Sequence, residues 1–179
     1  MNFKLMKCIA FAIFCTSLSG CGSSNRQKAE EYFAEGVKYK IGHEGYEQDT
    51  KKALEYFQKA ADLGQPDAQY EMGAAYESGL NCGQDNAKAF CYYLQSAKQK
   101  NLAQIIGGHH WDYRAQLATG MCYMNGKGVK KNFVEGIAWL IIADQRQGLI
   151  PGFLDKQKKK LAAEQIVAAE KRAKELCAR

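Results

Sequence analysis

Residues 68–97 read AQYEMGAAYESGLNCGQDNAKAFCYYLQSA, and residues 115–144 read AQLATGMCYMNGKGVKKNFVEGIAWLIIAD. The two stretches align without a gap. Ala68 meets Ala115, Gly73 meets Gly120, Tyr76 meets Tyr123, Gly79 meets Gly126, Asp85 meets Asn132 and Ala89 meets Gly136. A weaker copy precedes them, with Gly36, Tyr39, Gly42 and Asp49 followed by KALEYFQKAADLGQPDA from Lys52. Self-similarity of this kind marks an array of small structural units. Ala53 to Ala89 is a step of 36 residues and Ala89 to Gly136 one of 47, so the second unit carries an insertion of about eleven residues.

Each unit holds two segments of helical period separated by a glycine-rich turn. Gly73, Gly120, Ala60 and Ala97 fall where two helices would approach closely, and Tyr76, Tyr123, Phe57 and Trp139 would fill the space between them. Asp49, Asp85 and Asn132 stand just before the second helix of each unit, where a side-chain oxygen satisfies an otherwise open backbone N–H. One hairpin cannot bury its apolar face alone, so the units must stack.

The shared pattern, A-x4-G-x2-Y-x2-G-x-G-x3-[DN]-x3-A with a KAA-x2-G ending best seen at Lys59–Gly64, resembles Sel1-like repeats, relatives of tetratricopeptide repeats. The resemblance implies an all-α fold: a right-handed α-solenoid of stacked antiparallel helix hairpins, about three repeats over residues 28–148 with a loop insertion near 100–113. Two departures stand out. Asn81 replaces the second loop glycine in the middle unit, and the first loop is one residue longer. Residues 149–179, opened by Leu149-Ile150-Pro151-Gly152, resemble the terminal helix pair of such arrays, broken near Ala162. Lysines crowd this segment, as an outward-facing cap requires for solubility.

The N-terminus follows different rules. Lys4 and Lys7 precede or flank an uncharged apolar run, Cys8–Ser17, and two small residues, Ser19 and Gly20, then lead to Cys21. This is the pattern of a secretory signal, too short to span a bilayer. Leu18-Ser19-Gly20-Cys21 resembles the lipobox of bacterial lipoproteins. That resemblance implies a signal peptide over 1–20, palmitate and diacylglycerol on Cys21, and a lipidated, flexible tether over 21–27. Gly22 in place of an aspartate implies sorting to the outer membrane, with the protein facing the periplasm.

The formal net charge of +6 is mild, and the one dense run, Lys158-Lys159-Lys160, suits a solvated helix face. Nucleic acid is therefore not an expected partner. Of seven cysteines, four lie beyond the lipobox: Cys82, Cys91, Cys122 and Cys177. An oxidising periplasm favours disulfides, and four cysteines allow three pairings. Cys91 and Cys122 fall on helices expected to be neighbours, so a staple between repeats is one option. Cys82 competes for either, and buried free thiols remain the other option.

No paired carboxylates, nucleophile elbow or phosphate-cradling loop occurs, so the chain is not expected to be an enzyme. His109 and His110 are adjacent and lack a third ligand, so neither a metal nor a cofactor is expected. With Trp111 they form a loop suited to contacting a protein. In related repeats the first helix of each hairpin lines a concave face. Carried over by position, this places Phe33 and Val37, Tyr70 and Glu77, and Leu117, Met121 and Met124 on a partner-binding surface, with Phe33, Tyr70 and Leu117 as an apolar row. The function so implied is an envelope-anchored protein–protein interaction scaffold. Short repeat lipoproteins of this kind resemble immunity proteins that block secreted antibacterial toxins. The other reading is a cell-wall-associated enzyme or a peptidoglycan- or penicillin-binding module of the cysteine-rich Sel1-like type, though its repeated cysteine pairs are missing here.

Overall fold

Three hydrogen bonds close the three loops in the same way. The backbone N–H groups of Asp49, Asp85 and Asn132 donate to the carbonyls of Tyr39, Tyr76 and Tyr123, each at 2.9 Å. Each of these residues then caps the next helix. Asp49 Oδ1 accepts from the N–H of Lys52 at 3.0 Å, Asp85 Oδ1 from Ala87 and Lys88, and Asn132 Oδ1 from Glu135 at 3.1 Å. The first helix of each hairpin ends in a shared form too. Gly42, Gly79 and Gly126 take positive φ, and the N–H of the following residue returns to the carbonyl five residues back. Sequence identity at these positions is therefore identity of backbone hydrogen bonding.

The computed structural model describes residues 24–43, 45–99, 112–147 and 152–178. These hold eight helices and no strand, in agreement with the all-α expectation. They are α1 (24–41), α2 (Thr50–Asp62), α3 (Pro66–Ser78), α4 (Asn86–Lys98), α5 (Asp112–Asn125), α6 (Phe133–Gln147), α7 (Phe153–Lys158) and α8 (Ala163–Ala178). The chain divides into two compact units at Gln65 and Pro66.

The first unit contains the hairpin of α1 and α2. Gly36 lets the Phe57 ring lie flat on α1, since a Cβ there would come within 2.6 Å of that ring. Phe33 packs beside Phe57 with ring centroids 5.5 Å apart. Tyr39 stacks on Tyr56 at 5.6 Å and meets the edge of Tyr46 at 4.9 Å. The tether expected over 21–27 is corrected for its described part, because 24–27 is the first turn of α1. Arg26, Gln27 and Lys28 are good helix formers, and Gln27 bonds Glu31 one turn on at 3.0 Å. Polarity there reflects exposure rather than irregular backbone.

The second unit contains the hairpins α3–α4 and α5–α6 and the cap, α7 and α8. The helices pack in succession, α3 on α4, α4 on α5, α5 on α6, and α6 on α8. The pairing of glycine with a large residue recurs. Gly73 backs the ring of Tyr93, and Gly120 backs Leu140. Repeat alignment places Phe57, Tyr93 and Leu140 at one position, so each hairpin is locked by the same contact. Ile137 and Leu140 are fully buried, and Trp139 is nearly so.

The cap docks through a departure from the repeat. Lys52 and Lys88 hold one position in the first two repeats, where each lies over a tyrosine ring. The third repeat has Glu135 there, and Arg172 of α8 donates to it at 2.6 Å. A lysine would repel Arg172, so the reversed charge is what lets α8 lie against α6. The helix break near Ala162 falls as expected, with Gln165 Oε1 accepting from the N–H of Ala162 at the start of α8. The signal segment, Cys21, the 100–111 insertion with His109 and Trp111, and 148–151 lie outside the described residues.

Candidate functional site

An open cleft lies in the second unit, between the first helices of the two hairpins. Helices α3 and α5 form its walls, α4 supplies Tyr93 from behind, and the loop after α5 closes one end with Lys127. Its volume is about 440 Å3. The apolar surface comes from Tyr70, Leu117, Ala118 and Met121, all half-buried.

Each end carries a defined polar group. At one end the Arg114 guanidinium lies 4.6 Å from the centre of the Tyr70 ring. This is a cation–π contact, which holds the side chain against the ring. At the other end Glu77 accepts from the Tyr93 hydroxyl at 2.8 Å and from Lys127 Nζ at 3.0 Å. Burial works to raise the Glu77 pKa, but the bonds from Lys127 and Tyr93 and the Lys127 charge together hold it below the usual carboxylate range. The ion pair therefore persists at neutral pH and is lost only as the pH falls through that lowered value. Burial, and then Glu77, push the Tyr93 hydroxyl far up, so it stays a donor.

Cys122 lies in the lining and is 5% exposed. Burial first, and the Glu77 charge second, push its thiol up to about 11. At neutral pH it is a thiol rather than a thiolate, and it packs with Ala89, Phe90 and Tyr93 as a small apolar group. The staple considered between Cys91 and Cys122 is not formed. Cys91 is exposed on α4 while Cys122 points inward, and all four described cysteines are free thiols. Among the described residues no group of three or more His, Cys, Asp or Glu is placed to hold a metal ion.

The cleft gathers four of the residues placed on a partner surface by position: Tyr70, Glu77, Leu117 and Met121. Phe33 and Val37 are half-buried in the first unit and are not among its lining. Met124 is corrected, being 4% exposed and turned into the core. The physical reason is Gly136, which stands where the second repeat has Ala89. A Cβ there would come within 2.7 Å of Met124 Cγ, so the methionine fills the missing volume. The sequence reading missed Arg114, Tyr113, Tyr93 and Lys127. Tyr93 carried a readable signal, a hydroxyl at a position that is Phe57 and Leu140 in the other repeats. Arg114, in the first turn of α5, and Lys127, just past its end, fall outside the repeat's concave register and carried none.

Comparison with known proteins bears on the repeat rather than on the cleft. The Sel1 repeat model matches residues 39–65, 66–101 and 114–143, together over half of the chain. The chain is 33% identical over 85 residues to Protein SHC1 of Saccharomyces cerevisiae, covering 48% of this chain and 14% of that protein. It is 26% identical over 120 residues to Chitin synthase regulatory factor 3 of Schizosaccharomyces pombe, covering 66% and 12%. The chain thus spans a small part of these relatives. Among solved structures, it resembles a Sel1 repeat protein from Oxalobacter formigenes, with TM-score 0.57, 26% identity, and 67% of this chain and 45% of that one covered. It also shares the fold of c5321, a protective antigen of uropathogenic Escherichia coli with an SLR fold, with TM-score 0.62, 22% identity, and 83% and 37% covered. With the loop hydrogen bonds, caps and glycine contacts repeated three times, the chain belongs to the Sel1-repeat family.

Proposed function

We propose that this chain is a lipid-anchored scaffold of the bacterial envelope that binds another protein through the cleft between α3 and α5. The observation that carries the reading is the cleft's composition. A half-buried apolar strip of Tyr70, Leu117 and Met121 runs between Arg114 and the Glu77–Lys127 pair. Apolar surface framed by polar groups of fixed geometry suits contact with a partner. Its lining offers no activated nucleophile, since Cys122 is held protonated and both Glu77 oxygens are already engaged. Sel1-repeat proteins are generally interaction scaffolds, which supports the same class.

The anchoring part rests on the sequence. The apolar leader and Leu18-Ser19-Gly20-Cys21 support acylation at Cys21, and Gly22 supports outer-membrane sorting. Stable attachment needs more than one acyl chain, which a lipoprotein N-terminus supplies. The partner that fits the resemblance to envelope immunity proteins is a secreted antibacterial toxin, met on the periplasmic side.

The test is capture from envelope extracts by the full chain purified in detergent, with mass spectrometry of what is retained. We expect a protein retained by the wild type and lost, at least tenfold, by Leu117→Glu/Met121→Glu with its helical circular dichroism intact. Retention unchanged by that pair, or binding of labelled penicillin or muropeptide in place of a protein, would overturn the reading.

A further inference from the structure

We infer that the first hairpin stands end-on against the lipid leaflet, with the start of α1 and the end of α2 in the headgroup layer and Leu63 reaching below it. This rests on acylation at Cys21, part of the reading above, and adds the protein surface that meets the membrane.

Covalent geometry carries the argument. Helix α1 is already formed at Ser24, three residues after Cys21. Consecutive Cα atoms lie at most about 3.8 Å apart, so Ser24 stays within about 11 Å of an acylated Cys21 whatever path the chain takes. The polar layer of a bilayer is roughly 5–8 Å deep on each side of the hydrocarbon. The first turn of α1 is therefore held in that layer or just above it.

Helix α2 brings its last turn to the same place. The pair is antiparallel: Phe33 packs beside Phe57, Lys59 Nζ lies 5.8 Å from the centre of the Tyr32 ring, and Gln65 Nε2 lies 3.5 Å from a Glu30 carboxylate oxygen. One end of the hairpin thus gathers residues 24–28 and 62–65. Leu63 caps α2 there, its N–H returned to the Lys59 carbonyl, and it is 38% exposed.

Composition separates an end-on hairpin from one lying flat. Among the described residues of this unit, the exposed large apolar side chains are Leu63 and Ile41, the latter 59% exposed at the far end of α1. Seventeen helical steps, roughly 26 Å, separate Ile41 from Ser24. A flat hairpin resting on α1 would press the exposed Glu30 and Glu31 against anionic headgroups. One resting on α2 would offer Lys51, Lys52, Glu55, Lys59 and Asp62, with nothing apolar to insert before Leu63. End-on contact instead sets Arg26 and Lys28, both exposed in the first turn, among the phosphates. Asp62 is the acid at that level, and it already accepts from Gln58 at 2.7 Å.

The test uses the full chain, acylated in cells and placed in vesicles of phosphatidylethanolamine and phosphatidylglycerol. A diazirine-bearing amino acid replaces Leu63, Ile41 or Gln48 in separate samples, and mass spectrometry reads both the acyl groups and the lipid adducts. Position 63 is expected to give at least tenfold more lipid adduct than positions 41 and 48. With the probe at Gln27 instead, Leu63→Asp is expected to lower the adduct at least threefold. An acylated chain that gives equal adducts at 63 and 41, more at 41, or none at 63 overturns the inference and leaves the anchor standing. A chain whose mass shows no acyl group overturns the anchor reading, and this inference with it.

Discussion

Gly128→Ala is expected to lower the melting temperature by about 6–12 °C, taking a cost of about 3 kcal/mol and a domain of this size. Gly128 has φ of +69°, a conformation that side chains enter reluctantly. A Cβ on it would also overlap the backbone carbonyl of Asn86, the first residue of α4. Backbone cannot turn aside as a flexible side chain can, so the loop after α5 must lift from α4. The same loop carries Lys127, so the Glu77 contact should loosen with it. The matched control is Asn81, which holds the corresponding loop position one repeat earlier with φ of +58°. Asn81→Gly relieves a mild strain and should change stability by less than about 1 kcal/mol. Thermal melts followed by circular dichroism compare the two directly. Equal effects would show that the close approach to Asn86 is not what demands glycine at 128.

Leu140→Ala is expected to cost about 3–4 kcal/mol, since a fully buried leucine loses its transfer energy and leaves a cavity that helices close only in part. Leu140 is 0% exposed and lies against Gly120, where a Cβ would come within 3.0 Å of its side chain. That contact locks α5 to α6, and α6 in turn carries the cap. Leu140→Met keeps the volume and should cost less than about 1.5 kcal/mol. Urea titration separates the two outcomes. A small loss for the alanine variant would mean that the glycine–large-residue contact is not the lock of the hairpin.

The fold was legible in the sequence because the repeat constrains backbone groups as well as side chains. Asp49, Asp85 and Asn132 could be recognised as caps, and their backbone N–H groups close the loops with one shared bond. Gly36, Gly73 and Gly120 could be recognised as points of close approach, and each faces a large residue. Asn81 looked like a lapse from the pattern, yet it adopts the left-handed backbone of the glycine it replaces, which asparagine tolerates. What could not be read were features made by differences between repeats. Met124 shares the helix face of Leu117 and Met121, but the missing side chain at Gly136 draws it inward. Glu135 reverses a lysine position, and only the arrival of Arg172 from α8 explains it.

The cleft was half legible for the same reason. Tyr70, Glu77, Leu117 and Met121 follow from position on the first helices. Arg114 and Lys127 lie beyond the stretch where position predicts a concave face. Their meeting with Tyr70 and Glu77 comes from how α5 lies along α3.

The most direct test of the central claim places a photo-crosslinking amino acid at single sites of the chain in living cells. At Met121 or Tyr113, in the cleft, crosslinking is expected to join the chain to one partner protein. At Val167, 66% exposed on α8 and not among the lining residues, it is expected to give none. Crosslinks to the same protein from Val167 but not from Met121 or Tyr113, or none from the cleft, would contradict the account.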